Sequence, residues 1–168
     1  LRGPMDDVLA ASTALGPVLI VASATEVRRI AFSAEAPADH RTAAPSALLG
    51  EALAQMEAFL AGRLRTFDLP TSQSGSPFQA EVWAAIAAIP YGSTISYAGL
   101  AERLNLPASA SRAVARACAT NNLALIVPCH RVVGAGGDLS GYRWGIDRKQ
   151  ALLALESHGA LLTQAVLL

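Results

Sequence analysis

The 168-residue chain has only two cysteines, Cys118 and Cys129, and they form no CxxC pair. Its three histidines, His40, His130 and His158, lack the spacing of metal ligands. Both facts argue against a disulfide framework and a structural zinc. No metal and no cofactor are expected, and the expected setting is a reducing cytoplasm. Charge is scarce as well, at 15%, and the thirteen basic residues cancel the thirteen acidic ones. The broad positive field that advertises many nucleic-acid binders is therefore missing.

The longest uncharged stretch near the start, Val8 to Thr25, is broken by Gly16-Pro17 and by several Ser and Thr residues. Asp6 and Asp7 precede it, where a signal peptide would carry positive charge. Neither a secretion signal nor a transmembrane span is expected. With 52% hydrophobic residues the chain can fill a real core, and its length allows one domain or two small ones. Of the thirteen cations twelve are Arg, suited to phosphate contacts and to stacking on bases, although a GC-rich genome would give the same count. Residues 79–168 hold six Arg and one Lys against five acids, a weak basic lean that residues 1–78 do not share.

Two β-favouring runs, Pro17–Ala22 and Val27–Phe32, read as a hairpin. A Pro/Ala-rich loop follows to about Pro45. Ser46 can cap a helix over 47–61, and Arg63–Leu69 alternates like a third strand. The linker-like Pro70–Ser76 segment sets a boundary between an N-terminal α/β domain, 1–75, and a second domain, 76–168. Ser76-Pro77-Phe78-Gln79 is a strong helix start, with Ser at the cap, Pro in the first turn and Gln able to reach back. Two short helical patterns, about 97–104 and 112–120, fit a helix-turn-helix or any other αα-hairpin. An apolar, strand-like run, Leu123–Val127, enters Pro128-Cys129-His130-Arg131. A last helix begins at Asp147 with Gln150 three residues on, as in a capping box, and ends near Gly159.

The concentrated polar chemistry lies at Pro128–Arg131. Cys129 could be a small hydrophobe closing a buried strand, or a nucleophile. A proline that breaks the ladder, an adjacent imidazole and an acid on the following helix, Glu156, favour the second. Neighbours in a regular strand face opposite ways, so cooperation between Cys129 and His130 requires an irregular turn or a bridging water. Cys118, mid-helix among Ala and Val, reads as a buried structural thiol.

The run Arg112–Val133, with Pro-Cys-His-Arg-Val at its end, together with Ser140-Gly-Tyr-Arg-Trp-Gly145 and Ile89–Tyr97, closely resembles the O6-alkylguanine-DNA alkyltransferases. The likeness is strongest to the alkyltransferase domain of the bacterial adaptive-response (Ada) type, and it runs from Phe78 to Glu156. It implies an α+β fold, a small antiparallel sheet with a helix followed by a helical, winged-helix-like DNA-binding domain. It further implies a single-turnover repair protein, expected as a monomer, that takes the alkyl group of O6-alkylguanine in double-stranded DNA irreversibly onto itself. Cys129 would be the acceptor, His130 the base acting through a water, Glu156 the carboxylate orienting it, and Tyr97 an aid to the leaving oxygen near the phosphate backbone.

By the same resemblance Arg112 would enter the base stack once the lesion is turned out, and Ala113 and Ala117 would let the helix approach the minor groove. Asn121 would act at the hinge of that DNA-binding helix. Val132, Tyr142, Arg143 and Trp144 would form the guanine pocket, with Trp144 narrowing it against bulky groups. By pattern alone Arg112 is a solvated first-turn cation and Asn121 a helix-ending Asn. Three rivals remain at this stage: an alkyltransferase-like lesion binder or Ada-type regulator, a Cys-His hydrolase or thiol redox enzyme, and a helix-turn-helix transcription regulator. The acceptor cysteine argues against a pure lesion binder.

Overall fold

A computed structural model describes residues 6–33, 45–139 and 141–161. The element order is β1 (Asp7–Thr13), β2 (Gly16–Ala22), β3 (Val27–Phe32), α1 (Ala47–Leu60), α2 (Pro77–Ala87), β4 (Ile95–Ser96), α3 (Tyr97–Arg103), α4 (Ser111–Ala119), β5 (Val132–Val133) and α5 (Ile146–His158). Short 3₁₀ turns lie at Ala108–Ala110, Cys129–Arg131 and Ala135–Gly137. The fold is α+β. It divides into two compact units, residues 1–73 with 122–124, and residues 74–121 with 125–168.

In the first unit β1, β2 and β3 form an antiparallel meander in that order. The β2–β3 hairpin was legible as alternating β-branched sequence. The third strand is β1, paired from Asp7↔Ala22 to Thr13↔Gly16, and not Arg63–Leu69. Although Arg63–Leu69 alternates, its groups are used otherwise. Phe67 stacks on Phe59 at 5.3 Å, and the Asp68 backbone is taken at both N–H and C=O by the Gln55 side-chain amide of α1, at 2.9 and 3.0 Å. Helix α1 starts where Ser46 Oγ accepts the Leu49 N–H, and it buries Leu49, Ala52, Met56 and Phe59. The expected loop before Pro45, with His40, lies mostly outside the described residues.

The expected strand at Leu123–Val127 is instead a bridge followed by a buried turn. Leu123 pairs with Ile30, with Ile30 N–H donating to the Asn122 carbonyl and Ala124 N–H to the Ile30 carbonyl. The chain then turns through Leu125 at φ 70°, a conformation that costs a bulky residue of order 1–3 kcal/mol and survives only where its surroundings enforce it.

In the second unit, Ser76 caps α2 as its sequence requires. Ser76 Oγ accepts from Gln79 N–H at 3.1 Å, and Gln79 Oε1 accepts from Ser76 N–H at 2.8 Å. Gly75 lies under the Trp83 ring so closely that a Cβ would stand 2.5 Å from it. The Trp83 indole N–H donates to the Ala117 carbonyl, tying α2 to α4. Helix α3 is stopped by Asn105 at φ 58°, with Leu106 N–H reaching back to the Ala101 carbonyl. This sharp end lets α4 follow after one 3₁₀ turn. Helices α3 and α4 form the helix-turn-helix, and β4 and β5 pair in parallel beside it. Helix α5 begins at Gly145, φ 100°, with no side-chain cap, so the expected Asp147–Gln150 capping box is absent. It ends at left-handed Gly159 as expected. Among the described residues no helix is long and apolar enough to cross a membrane.

Candidate active site

Pro128 sets the geometry. Its φ of −81° and ψ of 65° make an inverse γ-turn, closed by Cys129 N–H donating to the Val127 carbonyl at 2.8 Å. A 3₁₀ turn follows, with Arg131 N–H donating to the Pro128 carbonyl. Adjacent side chains therefore leave β geometry, the irregular turn that cooperation between Cys129 and His130 requires.

On one side is the sulfur. Cys129 is 4% exposed, and its Sγ accepts from Asn121 Nδ2 at 3.2 Å. The same amide nitrogen donates to the Val127 carbonyl at 2.9 Å, which fixes the side chain that ends α4 to the turn. The thiol is held below its ordinary acidity range. The largest cause is a hydrogen bond from the Cys118 thiol, followed by the opposing effect of burial, then the Asn121 amide, the local backbone and the positive charge of Lys149.

On the other side is an ion network. His130 is fully buried, and its Nε2 lies 2.6 Å from Glu156 Oε2. Glu156, with a side chain 1% exposed, also accepts from Arg131 Nε and Nη2 and from Gly92 N–H. Burial alone would raise the carboxyl, but the hydrogen bonds from His130 and Arg131 outweigh it and bring its pKa down to about 2. An ionised Glu156 requires the proton of His130 on Nε2, leaving Nδ1 as a lone-pair acceptor, and Nδ1 has no protein partner. Burial lowers the pKa of His130 more than Glu156 raises it, so the imidazole is neutral and can take a proton. Arg131 completes the cluster by donating to the Ile89 carbonyl and lying over the Tyr91 ring at 5.5 Å.

Cys129 opens onto a cavity of about 330 Å³, at the small end of the range of about 300–1,000 Å³ typical of ligand pockets. Tyr97, Ala115, Cys118, Gly141, Tyr142 and Arg143 are on its wall. Burial pushes the Tyr97 phenol up to about 12 and Tyr142 well above its usual value, so both are protonated donors. The Tyr142 hydroxyl is buried without a protein partner. Arg143 Nη1 donates to the Asn121 carbonyl at 2.6 Å and stacks over Trp144 at 5.4 Å, anchoring the pocket loop to the end of α4.

Several expected residues occupy other places. Ala117 is 4% exposed and faces the interior with Val114, so it is not on the outer face of α4, where Arg112, Ala113, Arg116 and Ala119 are exposed. The helical spacing of Val114, Ala117 and Cys118 carried that signal. The Asn121 side chain is sealed inside and serves the sulfur, which leaves it unsuited to direct contact with DNA. Val132 and Trp144 are not among the residues on the cavity wall. Val132 offers its carbonyl to Lys149, and Trp144 stands edge-on behind Tyr142 at 5.4 Å.

One buried polar group beside the site escaped the sequence reading. Lys149, 1% exposed, donates to the carbonyls of Val132 and Gly141 at 2.7 and 2.8 Å, holding the active-site strand to the pocket loop. It is the only lysine in the chain. Cys118, buried on α4 as expected, also lies on the wall of the cavity that Cys129 lines. Among the described residues no group of three or more His, Cys, Asp or Glu side chains could hold a metal ion.

The fold and site define a cysteine-bearing helix-turn-helix protein, its cysteine buried and polarised in a small cavity. The family model for the DNA-binding domain of 6-O-methylguanine DNA methyltransferase matches residues 77–158. A methylated-DNA–protein-cysteine methyltransferase of Mycolicibacterium paratuberculosis is 51% identical over 112 residues, 67% of each chain. One from Mycobacterium tuberculosis is 45% identical over 136 residues, 81% of each. The crystal structure of Mycobacterium tuberculosis OGT in complex with DNA is similar with a TM-score of 0.83 and 38% identity, covering 92% of this chain and 95% of that one. The chain belongs to the methylated-DNA–protein-cysteine methyltransferase family.

Proposed function

We propose that this protein repairs O6-alkylguanine in duplex DNA by moving the alkyl group onto Cys129, once per molecule. The observation that carries this reading is the Cys129 sulfur, held by the Asn121 amide on a cavity wall, on a turn whose next residue is a neutral, carboxylate-oriented imidazole.

The chemistry is a displacement at carbon. His130 Nδ1 draws the Cys129 proton through a bridging water, and Glu156 stabilises the imidazolium that results. The sulfur electron pair forms an S–C bond to the alkyl carbon while the C–O6 bond breaks, leaving its pair on the guanine oxygen. The base recovers a proton and departs as guanine, with the Tyr97 phenol placed to donate as charge develops. The thioether is stable and nothing on the cavity wall would cleave it, so the protein is consumed.

Access requires turning the base out of the stack, at a cost of a few kcal/mol. The exposed face of α4 suits that step. Arg112 and Arg116 supply charge, and Ala113 keeps the approach close. With a net charge of zero, affinity depends on this one face and falls with salt. Residues 76–168 hold the cysteine, the cavity and the helix-turn-helix, and are read as the DNA-binding and catalytic domain. The free thiol chemistry suits a reducing cytoplasm.

Incubation with a duplex carrying O6-methylguanine, followed by peptide mass mapping, tests the assignment. One methyl group on the peptide containing Cys129 is expected, and none in Cys129→Ala. A methyl group on any other residue would reject it.

A further inference from the structure

The pocket loop, residues 141–145, is tied down towards α5, where Lys149 Nζ donates to the Gly141 carbonyl at 2.8 Å and Arg148 Nη1 to the Trp144 carbonyl at 3.0 Å. Arg143 ties it the other way. Its Nη1 donates to the Asn121 carbonyl at 2.6 Å, a short, charge-assisted bond that fastens the loop to the end of α4. The guanidinium lies over the Trp144 ring at 5.4 Å, which limits how its plane can turn. Trp144 in turn meets the Tyr142 ring edge-on, and Tyr142 is on the cavity wall. Asn121 is where these ties reach the sulfur. It is fully buried, its carbonyl takes the Arg143 bond, and its Nδ2 donates to the Val127 carbonyl at 2.9 Å and to Cys129 Sγ at 3.2 Å. It lies just past Thr120, the C-cap of α4, beyond the carbonyls that the helix ladder satisfies. Hydrogen bonds weaken steeply as their angle closes, so a small rotation of that backbone spoils the contact of the amide with the sulfur.

We propose that Arg143 is a positioning residue for alkyl transfer, clamping the pocket loop to the Asn121 carbonyl so that the cavity wall and the hydrogen bond to the Cys129 sulfur are set together. This rests on Cys129 being the acceptor. Arg143 exchanges no atom in the reaction. While the sulfur pair forms the S–C bond and the C–O6 pair passes to the guanine oxygen, the guanidinium stays on the Asn121 carbonyl. It acts beforehand, by fixing where the sulfur stands relative to a base seated against the loop. Displacement is sensitive to that placement, since an error of about 1 Å can slow a reaction on the order of 10²-fold.

The clamp has a kinetic signature that separates it from a DNA contact. Arg143 is exposed, and an arginine that held a phosphate would tighten duplex binding without helping a substrate that has no backbone. A clamp on Asn121 instead changes the chemical step for every substrate and leaves duplex binding alone.

The test compares the full chain as wild type, Arg143→Met and Arg143→Lys. Single-turnover transfer is followed with O6-methylguanine duplex and with O6-methylguanine as the free base. In Arg143→Met the maximal rate on duplex and the rate with the free base should both fall about tenfold, while the duplex concentration giving half the maximal rate stays within about twofold of wild type. Arg143→Lys, which keeps a donor but cannot stack, should return both rates to within about threefold. The second readout is the reaction of Cys129 with iodoacetamide across pH, followed by peptide mass. Its midpoint should rise by about half a pH unit in Arg143→Met, because the Asn121 amide no longer meets the sulfur squarely. Tyr97 of α3, Cys118 of α4, Tyr142 of the loop, Lys149 of α5 and His130 beside the sulfur are the same in all three proteins, so the shift reports Asn121. A loss confined to the half-saturating duplex concentration, with free-base transfer intact, would overturn the proposal. So would an unmoved midpoint, or a lysine variant no faster than the methionine one. The iodoacetamide profile needs no DNA, so a wild-type protein that reacts there but takes no methyl group on Cys129 would instead reject the repair reading.

Discussion

The two units of this chain differ most in what they bury. Among the described residues the first holds one buried charged side chain, Asp6, which is paired at 3.1 Å with a half-exposed Arg28. The second buries Asn121, His130, Arg131 and Lys149 around a single turn. Buried polar groups cost stability unless fully partnered, so a fold gathers them only where something other than stability selects them. The first unit is built for packing, and the second accepts an expensive interior in return for a reactive sulfur.

That contrast can be broken or sharpened by experiment. The largest effect is expected for Cys129→Ala, which should abolish alkyl transfer while changing stability by less than about 1 kcal/mol, since a small buried side chain replaces another. Rate and melting measurements on the same sample check both halves. Glu156→Ala comes next. It strands Arg131 and removes the partner of His130, so a loss of about 3–5 kcal/mol in denaturant unfolding is expected, with transfer slowed about 10²-fold or more in the fraction that remains folded.

In the first unit, Met56→Ala empties a fully buried site on α1 and should cost about 2–5 kcal/mol. The transfer rate per folded molecule should stay at the wild-type value. A rate loss matching that of Glu156→Ala would erase the distinction between the units. The smallest expected effect is the pH dependence of stability. His130 titrates below its ordinary 6.5 in the folded protein, so the unfolded chain binds that proton first, and stability should begin to fall as pH drops through 6.5. Glu156, at about 2 against an ordinary 4.5, stabilises the fold above 4.5 and loses that contribution as pH falls towards 2. Thermal melts across this range should show two successive declines, and Glu156→Gln should remove the lower one.

How much of this was legible in the sequence follows the same division between local and distant signals. Ser76-Pro77-Phe78-Gln79 announced α2 because a capping box is complete within four residues, and the Pro-Cys-His-Arg run announced an irregular turn because proline and a Cys-His neighbour cannot share a regular strand. Strand β1 was missed because its centre, Leu9-Ala-Ala-Ser, is small and nearly without alternation. Arg63–Leu69 misled because alternation says nothing about whether a partner strand is available. The place of Lys149 depends on which elements meet around the turn, which no local pattern encodes. Ala117 was misplaced despite a readable signal, since its spacing from Val114 and Cys118 already put it on the inner face.

The most direct measurement is the stoichiometry of transfer with O6-methylguanine duplex in excess. One methyl group removed per protein chain, followed by a complete stop, with all of it recovered as S-methylcysteine at position 129, is the predicted result. Continued turnover, or a stop with Cys129 still a free thiol, would contradict the account.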